Sequence, residues 1–168
     1  MATYIQIGST VTVGAGGSSS IDFTSIPSTY TDLKLVVSAR TDGSNRTGIL
    51  SINNDTTDAN YSHRDLYGTG SSTFSGSGSN RYHWYLDYSS DTASTFGSTD
   101  FYFPNYAGSS NKSFSVDSIE ETNATTAYAY LIAGLWSNTA AINRLTLTCF
   151  SGNFVQYSTA SLYGISKS

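Results

Sequence analysis

Two histidines and a small set of carboxylates are the side chains in this sequence that could catalyse a reaction. His63 has Asp65 two residues on, and His83 has Asp87 four residues on. A histidine oriented by a carboxylate can serve as the general base for a serine nucleophile. The Gly–Ser runs GTGSS and GSGSN, however, precede no helical pattern, whereas a nucleophile elbow needs a strand, a sharp turn and a helix. We therefore expect each histidine to pack within a strand or an interface.

The acidic residues offer no better catalytic pair. Glu120 and Glu121 are adjacent, so on a β-strand their side chains point to opposite faces. A glycosidase needs two carboxyl groups that converge across a cleft. Asp87, Asp100 and Asp117 could supply them, but nothing in their spacing selects a pair. The sequence therefore predicts no catalytic residues and a protein that is not an enzyme.

Metal and cofactor sites are equally unsupported by residue spacing. No pair of Cys or His residues has the spacing of zinc ligands. The oxygen-rich runs TDGSN (41–45) and NNDTTD (53–58) lack the order of an EF-hand loop, which favours Asx side chains that cap their own turns. GAGG is followed by neither a helix nor a lysine, unlike a phosphate-binding loop, and Cys149 has the setting of a small buried hydrophobe. We expect no metal and no cofactor.

Composition narrows the classes of partner. Charged residues make up 12 % of the 168 residues, against about 25 % in typical globular domains. With a formal charge of −4 and eight scattered Lys and Arg residues, the chain lacks the clustered cations that bind nucleic acid. No run approaches the ~20 apolar residues of a membrane span, and MATYIQIGST has no leader pattern. We expect a protein made in a cytoplasm that binds neither nucleic acid nor membrane.

Short alternating runs broken by Gly, Asn, Asp and Ser predict the fold. The run TDLKLVVSAR, for example, has the alternation of an antiparallel strand with one buried face. Eight to ten such strands and no long helix predict an all-β protein: a single antiparallel β-sandwich of jelly-roll type, in one domain over residues 1–168. Residues 14–20 and 68–80 are expected to be loops. The run AYAYLIAGLW (127–136) is expected to be a central strand covered on both faces.

The segment RYHWYLDY (81–88) concentrates aromatic side chains. As a strand it would turn Tyr82, Trp84, Leu86 and Tyr88 inward and leave Arg81, His83, Tyr85 and Asp87 outside. Arginine with aromatic residues is typical of protein–protein interfaces, and FYFPNYAG adds more aromatic residues downstream. Three interpretations stay open: core packing, a subunit or partner interface, and a platform that stacks on carbohydrate. The candidate contact residues are Arg81, His83, Trp84, Tyr85, Tyr102 and Tyr106.

The scarcity of charge also bears on assembly. Lysine and proline protect exposed strand edges from pairing with other chains, yet the only lysines are at positions 34, 112 and 167. We therefore expect neighbouring molecules to cover the edges and faces of this sandwich. Residues 1–20 form a possible N-terminal strand or arm, in which Tyr4, Ile5 and Ile7 are candidates to add to a neighbour's sheet.

Three long sequence segments resemble those of a known group of proteins. They are IDFTSIPSTYTDLKLVVSAR, FYFPNYAGSSNKSFSVDSIEETNATTAYAYLIAGLWSNTAAINRLTL and NFVQYSTASLYGI. These segments resemble small virion-associated proteins of tailed bacteriophages, chiefly marine and cyanobacterial phages. The resemblance extends over roughly Tyr4 to Ile165. The resemblance implies a structural protein of the virion, outside the capsid or on the tail, and implies no catalytic residues. The segment RYHWYLDY departs most from the pattern.

Three functions are compatible with this sequence. The first is a capsid decoration or knob protein: a homo-oligomer located on the virion that contacts the major capsid protein or other virion proteins in many copies. The alternative is a tail-fibre or receptor-binding module that recognises cell-surface carbohydrate of the host. The third is a polysaccharide-active enzyme of jelly-roll fold.

Overall fold

Thirteen strands form two antiparallel sheets in the computed structural model, which describes residues 2–124 and 127–166. In chain order the strands are β1 (Thr3–Gln6), β2 (Val11–Thr12), β3 (Ser20–Phe23), β4 (Asp32–Ala39), β5 (Thr47–Ile52), β6 (Tyr61–Gly68), β7 (Thr73–Gly78), β8 (Trp84–Tyr85), β9 (Gly97–Phe103), β10 (Lys112–Glu120), β11 (Tyr128–Trp136), β12 (Leu145–Cys149) and β13 (Thr159–Ser166). The large sheet has the order β1-β13-β4-β9-β10-β11-β6-β7, and β2 also pairs with β13. The small sheet has the order β3-β12-β5-β8.

The prediction of an all-β antiparallel sandwich is confirmed. Along β4 the burial alternates residue by residue, with Leu33, Leu35 and Val37 buried and the residues between them half-exposed. The inward-facing side chains of both sheets join one hydrophobic cluster. The strand count exceeds the expected eight to ten because several short segments pair through their backbones. Among the described residues, no helix has both the length and the apolar character needed to span a membrane.

Two hairpins make the large sheet wider than the small one. The hairpin β6–β7 follows β5 in the chain and precedes β8, and the hairpin β10–β11 lies between β9 and β12. Together they form the last four strands of the large sheet. Burial decreases toward the outer strand: β10 alternates between buried and exposed positions, whereas β7 is exposed at five of its six positions. The inner face of these strands therefore needs cover beyond the longer strands β3, β12 and β5 of the small sheet.

Two local predictions are wrong, and the boundary of a third is shifted by one residue. The predicted loop 68–80 contains β7, because the backbone of TFSGSG pairs with β6 although its side chains do not alternate. The predicted loop 14–20 holds except at its last residue, Ser20, which begins β3. The run 127–136 forms β11 but is not covered on both faces, since Leu131 is 60 % exposed on the outer face.

The N-terminal strands pair within their own chain. β1 and β2 lie along β13, with Tyr4 opposite Ile165 and Val11 opposite Ala160. Tyr4 and Ile5 remain exposed, and Ile7 packs against the core. The described residues of the predicted arm therefore complete this chain's own large sheet, while addition to a neighbour's sheet stays a prediction. Met1, Thr125, Thr126, Lys167 and Ser168 lie outside the described residues.

The packing of Trp84 against β5 can be tested by adding one methyl group. Gly48 pairs with Trp84, and a Cβ at Gly48 would overlap the indole ring. We expect Gly48→Ala to lower the free energy of unfolding by about 1–3 kcal/mol, because a packed core does not accept added volume. The measurement is guanidinium denaturation. Gly14→Ala is the control, since an added Cβ there meets no atom within 4 Å, and a similar loss in both variants would contradict this packing.

Candidate functional site

The segment RYHWYLDY supplies the cover that the inner face of the hairpins needs. Trp84 and Leu86 are fully buried, and Trp84 packs against Phe101 and Phe154. His83 is also fully buried. Its ring contacts the rings of Tyr61, His63 and Phe114 at centroid distances of 5.7, 5.3 and 5.2 Å. Four of the eight residues of this segment are therefore buried in the interior, and the other four are half-buried.

The predicted alternation along this segment is wrong for two residues. His83 and Asp87 were expected on the outer face, but both are fully buried. Within this segment only Trp84 and Tyr85 form a strand, Asp87 makes an isolated bridge to Arg40, and the other residues lack strand pairing. A strict two-sided pattern requires continuous extended backbone, so residues of both parities face inward here.

The other candidate contact residues divide between surface and core. Arg81 is half-buried and donates to Asp58 (2.8 Å) and to the Ser51 hydroxyl (2.9 Å). Tyr102 is 39 % exposed on the outer face, and its hydroxyl donates to Asp32 at 2.8 Å. Tyr106 is fully buried and donates to the Pro27 carbonyl, so it has no surface to offer a partner, and the same holds for Trp84.

A second group of aromatic residues lies on the inner face of the hairpins, toward the sheet edge. We call these residues the tyrosine cluster: Tyr67, Phe74, Tyr85, Tyr128 and Tyr130. Tyr85 stacks on Tyr130 with centroids 3.8 Å apart, and Tyr67 lies 4.9 Å from Tyr130 and 5.0 Å from Phe74. Burial raises the pKa of Tyr85 to about 12. This hydroxyl therefore stays protonated at neutral pH and can donate a hydrogen bond.

Arg46 links the tyrosine cluster to a surface concavity. Its guanidinium lies over the ring of Tyr128 (4.1 Å) and over the ring of Tyr88 (4.8 Å). The concavity has a volume of about 290 Å³ and is lined by residues 44–47 with Tyr85 and Tyr88. Aromatic ring faces beside a few hydrogen-bonding groups are the usual lining of a small-ligand site. The sequence did not reveal this site, because its members come from two segments, 44–47 and 85–88, that lie about 40 residues apart in the chain.

Three carboxylates meet behind Arg46. One carboxylate oxygen from each of Asp87, Asp91 and Glu120 lies within 4.8 Å of the others. Arg46 donates to the Oε2 atom of Glu120 at 2.9 Å. Burial raises the pKa of Glu120 to about 8, with Arg46 opposing the shift and the two aspartates adding to it. Burial also raises the pKa of Asp87.

The loop that carries Asp91 is organised by a second arginine. The guanidinium of Arg40 donates to the main-chain carbonyls of Asp91 (3.0 Å), Thr92 (2.8 Å) and Thr95 (3.2 Å). Asp91 itself accepts the Tyr88 N–H at 3.0 Å. Arg40 thus holds the backbone of residues 91–95 and does not neutralise the carboxylates through direct hydrogen bonds.

The catalytic sets considered from the sequence do not assemble among the described residues. His63 Nε2 lies 4.0 Å from Asp65, but no described serine hydroxyl hydrogen-bonds either imidazole. Asp100 and Asp117 are opposite each other on the outer face of the large sheet, whereas Asp87 is buried on its inner side. These three carboxylates therefore do not converge on one cleft.

The two oxygen-rich runs cap turns, as expected from their composition. Asn45 accepts the Thr47 N–H at 2.8 Å, and Asp55 accepts the Thr57 N–H at 3.0 Å. Asp55 also accepts the indole N–H of Trp136 at 2.8 Å. Cys149 is half-buried, and burial raises the pKa of its thiol to about 11. An unreactive thiol agrees with the small-hydrophobe interpretation.

The outer face of the hairpins carries an apolar patch. Leu66 and Leu131 are opposite each other in β6 and β11 and are 56 % and 60 % exposed. Ile119, 42 % exposed, is opposite Ala129 in the next row. We call Leu66, Ile119, Ala129 and Leu131 the outer patch. It lies on the opposite side of the sheet from the tyrosine cluster.

A scan against protein-family models, a search of curated proteins and a search of solved structures each gave no match for this chain.

The buried state of His83 predicts a pH dependence of stability. Burial lowers the pKa of His83 from 6.5 to about 4, and the neighbouring His63 adds to this shift. The unfolded chain thus binds the proton near pH 6.5 and the folded chain only near pH 4, so stability falls as the pH drops between these values. The loss attributable to His83 is about 3 kcal/mol at most.

The measurement is the free energy of unfolding at several pH values for the wild type and for His83→Phe. The variant should show a flatter profile between pH 6.5 and 4, since it lacks the proton uptake while its other carboxyl and histidine groups are unchanged. Parallel profiles for the two proteins would contradict a buried neutral His83.

Proposed function

We propose that this chain is a structural protein of a bacteriophage virion and that it decorates or cements the capsid exterior through protein–protein contacts without catalysing a reaction. The observation that carries this proposal is the outer patch: neighbouring leucines on a sheet face, each more than half exposed. Contiguous apolar surface of this kind is typical of interaction sites. The resemblance of the three long sequence segments to virion-associated proteins supports the same proposal.

The strand edges add support for assembly. The strands at the ends of the two sheets are β1, β7, β3 and β8. None of these four carries a lysine or a proline. Of the lysines among the described residues, Lys34 pairs with Asp100, and Lys112 is buried and donates to main-chain carbonyls. Edges without such protection favour burial against neighbouring chains.

We infer that the strands outside the two hairpins have jelly-roll connectivity. Without the hairpins, β1-β13-β4-β9 lie opposite β3-β12-β5-β8, and β2 continues β1 along β13. The chain passes from one four-stranded sheet to the other at most of its connections, which is how two Greek keys build a jelly roll. This architecture occurs in viral capsid proteins and in lectins, so it is compatible with both proposals made here.

Location on the particle tests the main proposal. Purified virions of the phage that encodes this chain should contain it in hundreds of copies by quantitative gel analysis, and antibody labelling should mark the capsid. A count of tens of copies with label on the tail would favour the tail alternative. Absence of the chain from purified virions would overturn both proposals.

A single charge placed on the outer patch tests its role. Leu131→Glu should weaken binding of the purified chain to virions stripped of it by at least tenfold, because a carboxylate would be buried in an apolar contact. Ser113→Glu adds the same charge at another exposed position of the outer face, one strand away, and should bind as the wild type does. Equal losses would show that the patch is not the contact.

A second function, recognition of a cell-surface carbohydrate, is favoured by the concavity beside Arg46. Its lining combines the half-buried rings of Tyr85 and Tyr88 with the amide of Asn45 and a guanidinium. Sugars present both apolar ring faces and hydroxyl groups, which such a lining can match. Trp84 cannot act as the stacking residue, since it is fully buried.

A glycan array with the purified chain tests this second function. If a glycan binds, Tyr88→Ala should reduce its affinity at least tenfold, because one ring face of the concavity is lost. Tyr157→Ala is the control, as Tyr157 is 69 % exposed and does not line the concavity. Equal binding by wild type and Tyr88→Ala would exclude the concavity as the glycan site.

A further inference from the structure

Buried carboxylate oxygens without hydrogen-bond partners mark the meeting point of Asp87, Asp91 and Glu120. Asp87 is fully buried, and neither of its carboxylate oxygens has a partner among the described residues. Glu120 is 1 % exposed, and its Oε1 atom is also without a partner. Each of the three acids also places one carboxylate oxygen within 4.8 Å of those of the other two, so the unpartnered oxygens belong to carboxylates that meet at one point.

The neighbouring donors do not satisfy these oxygens. Of these carboxylate oxygens, Arg46 donates a hydrogen bond only to the Oε2 atom of Glu120. The two terminal nitrogens of Arg40 donate to main-chain carbonyls of residues 91–95 and to the Thr95 hydroxyl. The nearby Thr95 side chain lowers the pKa of Asp87. Its hydroxyl proton, however, is donated to the Thr92 carbonyl at 2.8 Å, so it is not available to Asp87. Leaving buried carboxylate oxygens unpaired is costly, so the arrangement calls for a positively charged occupant.

We propose that Asp87, Asp91 and Glu120 bind one divalent cation, and that the cation is Ca²⁺. The ligands are all carboxylate oxygens, which hard cations prefer. Oxygens bound to one Ca²⁺ at about 2.3–2.6 Å lie at most about 5 Å apart, which agrees with the observed spread of 4.8 Å or less. Mg²⁺ needs shorter bonds and keeps several waters, whereas two of these three ligands are fully buried. The half-buried Asp91 provides the side from which the ion enters.

This site is separate from the outer patch and independent of the proposed function. It joins the loop after β8 to the end of β10, on the inner side of the large sheet. Bound Ca²⁺ would fix that loop against the hairpins and hold Glu120, the partner of Arg46, in its ionised form. The carboxylates come from two distant parts of the chain, and neither oxygen-rich run considered from the sequence contributes one.

Calorimetric titration of the full chain, after removal of metals with EDTA, tests the proposal with CaCl₂ and, in parallel, MgCl₂. The expected result is one Ca²⁺ per chain with a Kd of about 0.1–1 mM and weaker binding of Mg²⁺. At a Ca²⁺ concentration tenfold above the Kd, the ratio of folded to unfolded chain in guanidinium should rise about tenfold. Tighter binding of Mg²⁺ would overturn the assignment to Ca²⁺.

Variants separate this site from general binding to surface acids. Asp87→Asn and Glu120→Gln should each weaken Ca²⁺ binding at least tenfold. Asp117→Asn, which removes the same charge from the exposed face of the strand that carries Glu120, should leave binding unchanged. If either buried variant fails to fold, Asp91→Asn in the half-buried loop gives the same comparison, since an amide oxygen can still accept the Tyr88 N–H.

Two outcomes would overturn the proposal. One is the absence of Ca²⁺ binding by the wild type up to about 10 mM, well above the Kd of weak extracellular sites. In that case, stabilisation by Asp87→Asn or Glu120→Gln would show that the carboxylates share protons instead. The other is an equal loss of binding in Asp117→Asn and Asp87→Asn, which would indicate diffuse attraction to acidic residues.

Discussion

The structure depends on covering an inner sheet face that is wider than the sheet opposite it. Four strands from two hairpins extend the large sheet past the small one, and their inward side chains include Tyr130, Ile132 and Trp136. The short segment 81–88, which contributes only the two-residue strand β8 to the small sheet, covers this face in place of further long strands. That role explains why so many aromatic residues occur in eight positions, since large rings fill a layer that has few residues to build it.

The same layer determines how buried charge is handled. Lys112 donates to the carbonyls of Gly108, Ser110 and Thr139, and Arg40 likewise donates to loop carbonyls. Lys112 and Arg40 are thus satisfied largely by main-chain oxygens, whereas Arg46 pairs with the carboxylate of Glu120. By contrast, both carboxylate oxygens of Asp87 and the Oε1 atom of Glu120 have no hydrogen-bond partner among the described residues. Acidic groups are therefore the unbalanced charges of this interior, although the chain as a whole contains few charged residues.

The sequence was sufficient for the fold class and insufficient for the site, for physical reasons. Alternation in β4 and β10 is strong because one face of each strand is buried and the other is exposed. β7 was missed because an exposed edge strand is held by backbone pairing and imposes no pattern on its side chains. His83 and Asp87 were placed outside because periodicity assumes extended backbone on both sides of β8. The tyrosine cluster depends on strand order in the sheet, which no local pattern contains.

The way Arg40 holds its loop has a consequence for variation between related chains. All but one of its contacts with residues 91–95 reach main-chain oxygens, which every residue type provides. The identities of most side chains in this loop are therefore free to drift while its path is kept. The side chains of this stretch of surface can therefore change at little structural cost, provided that the single guanidinium beneath it is retained.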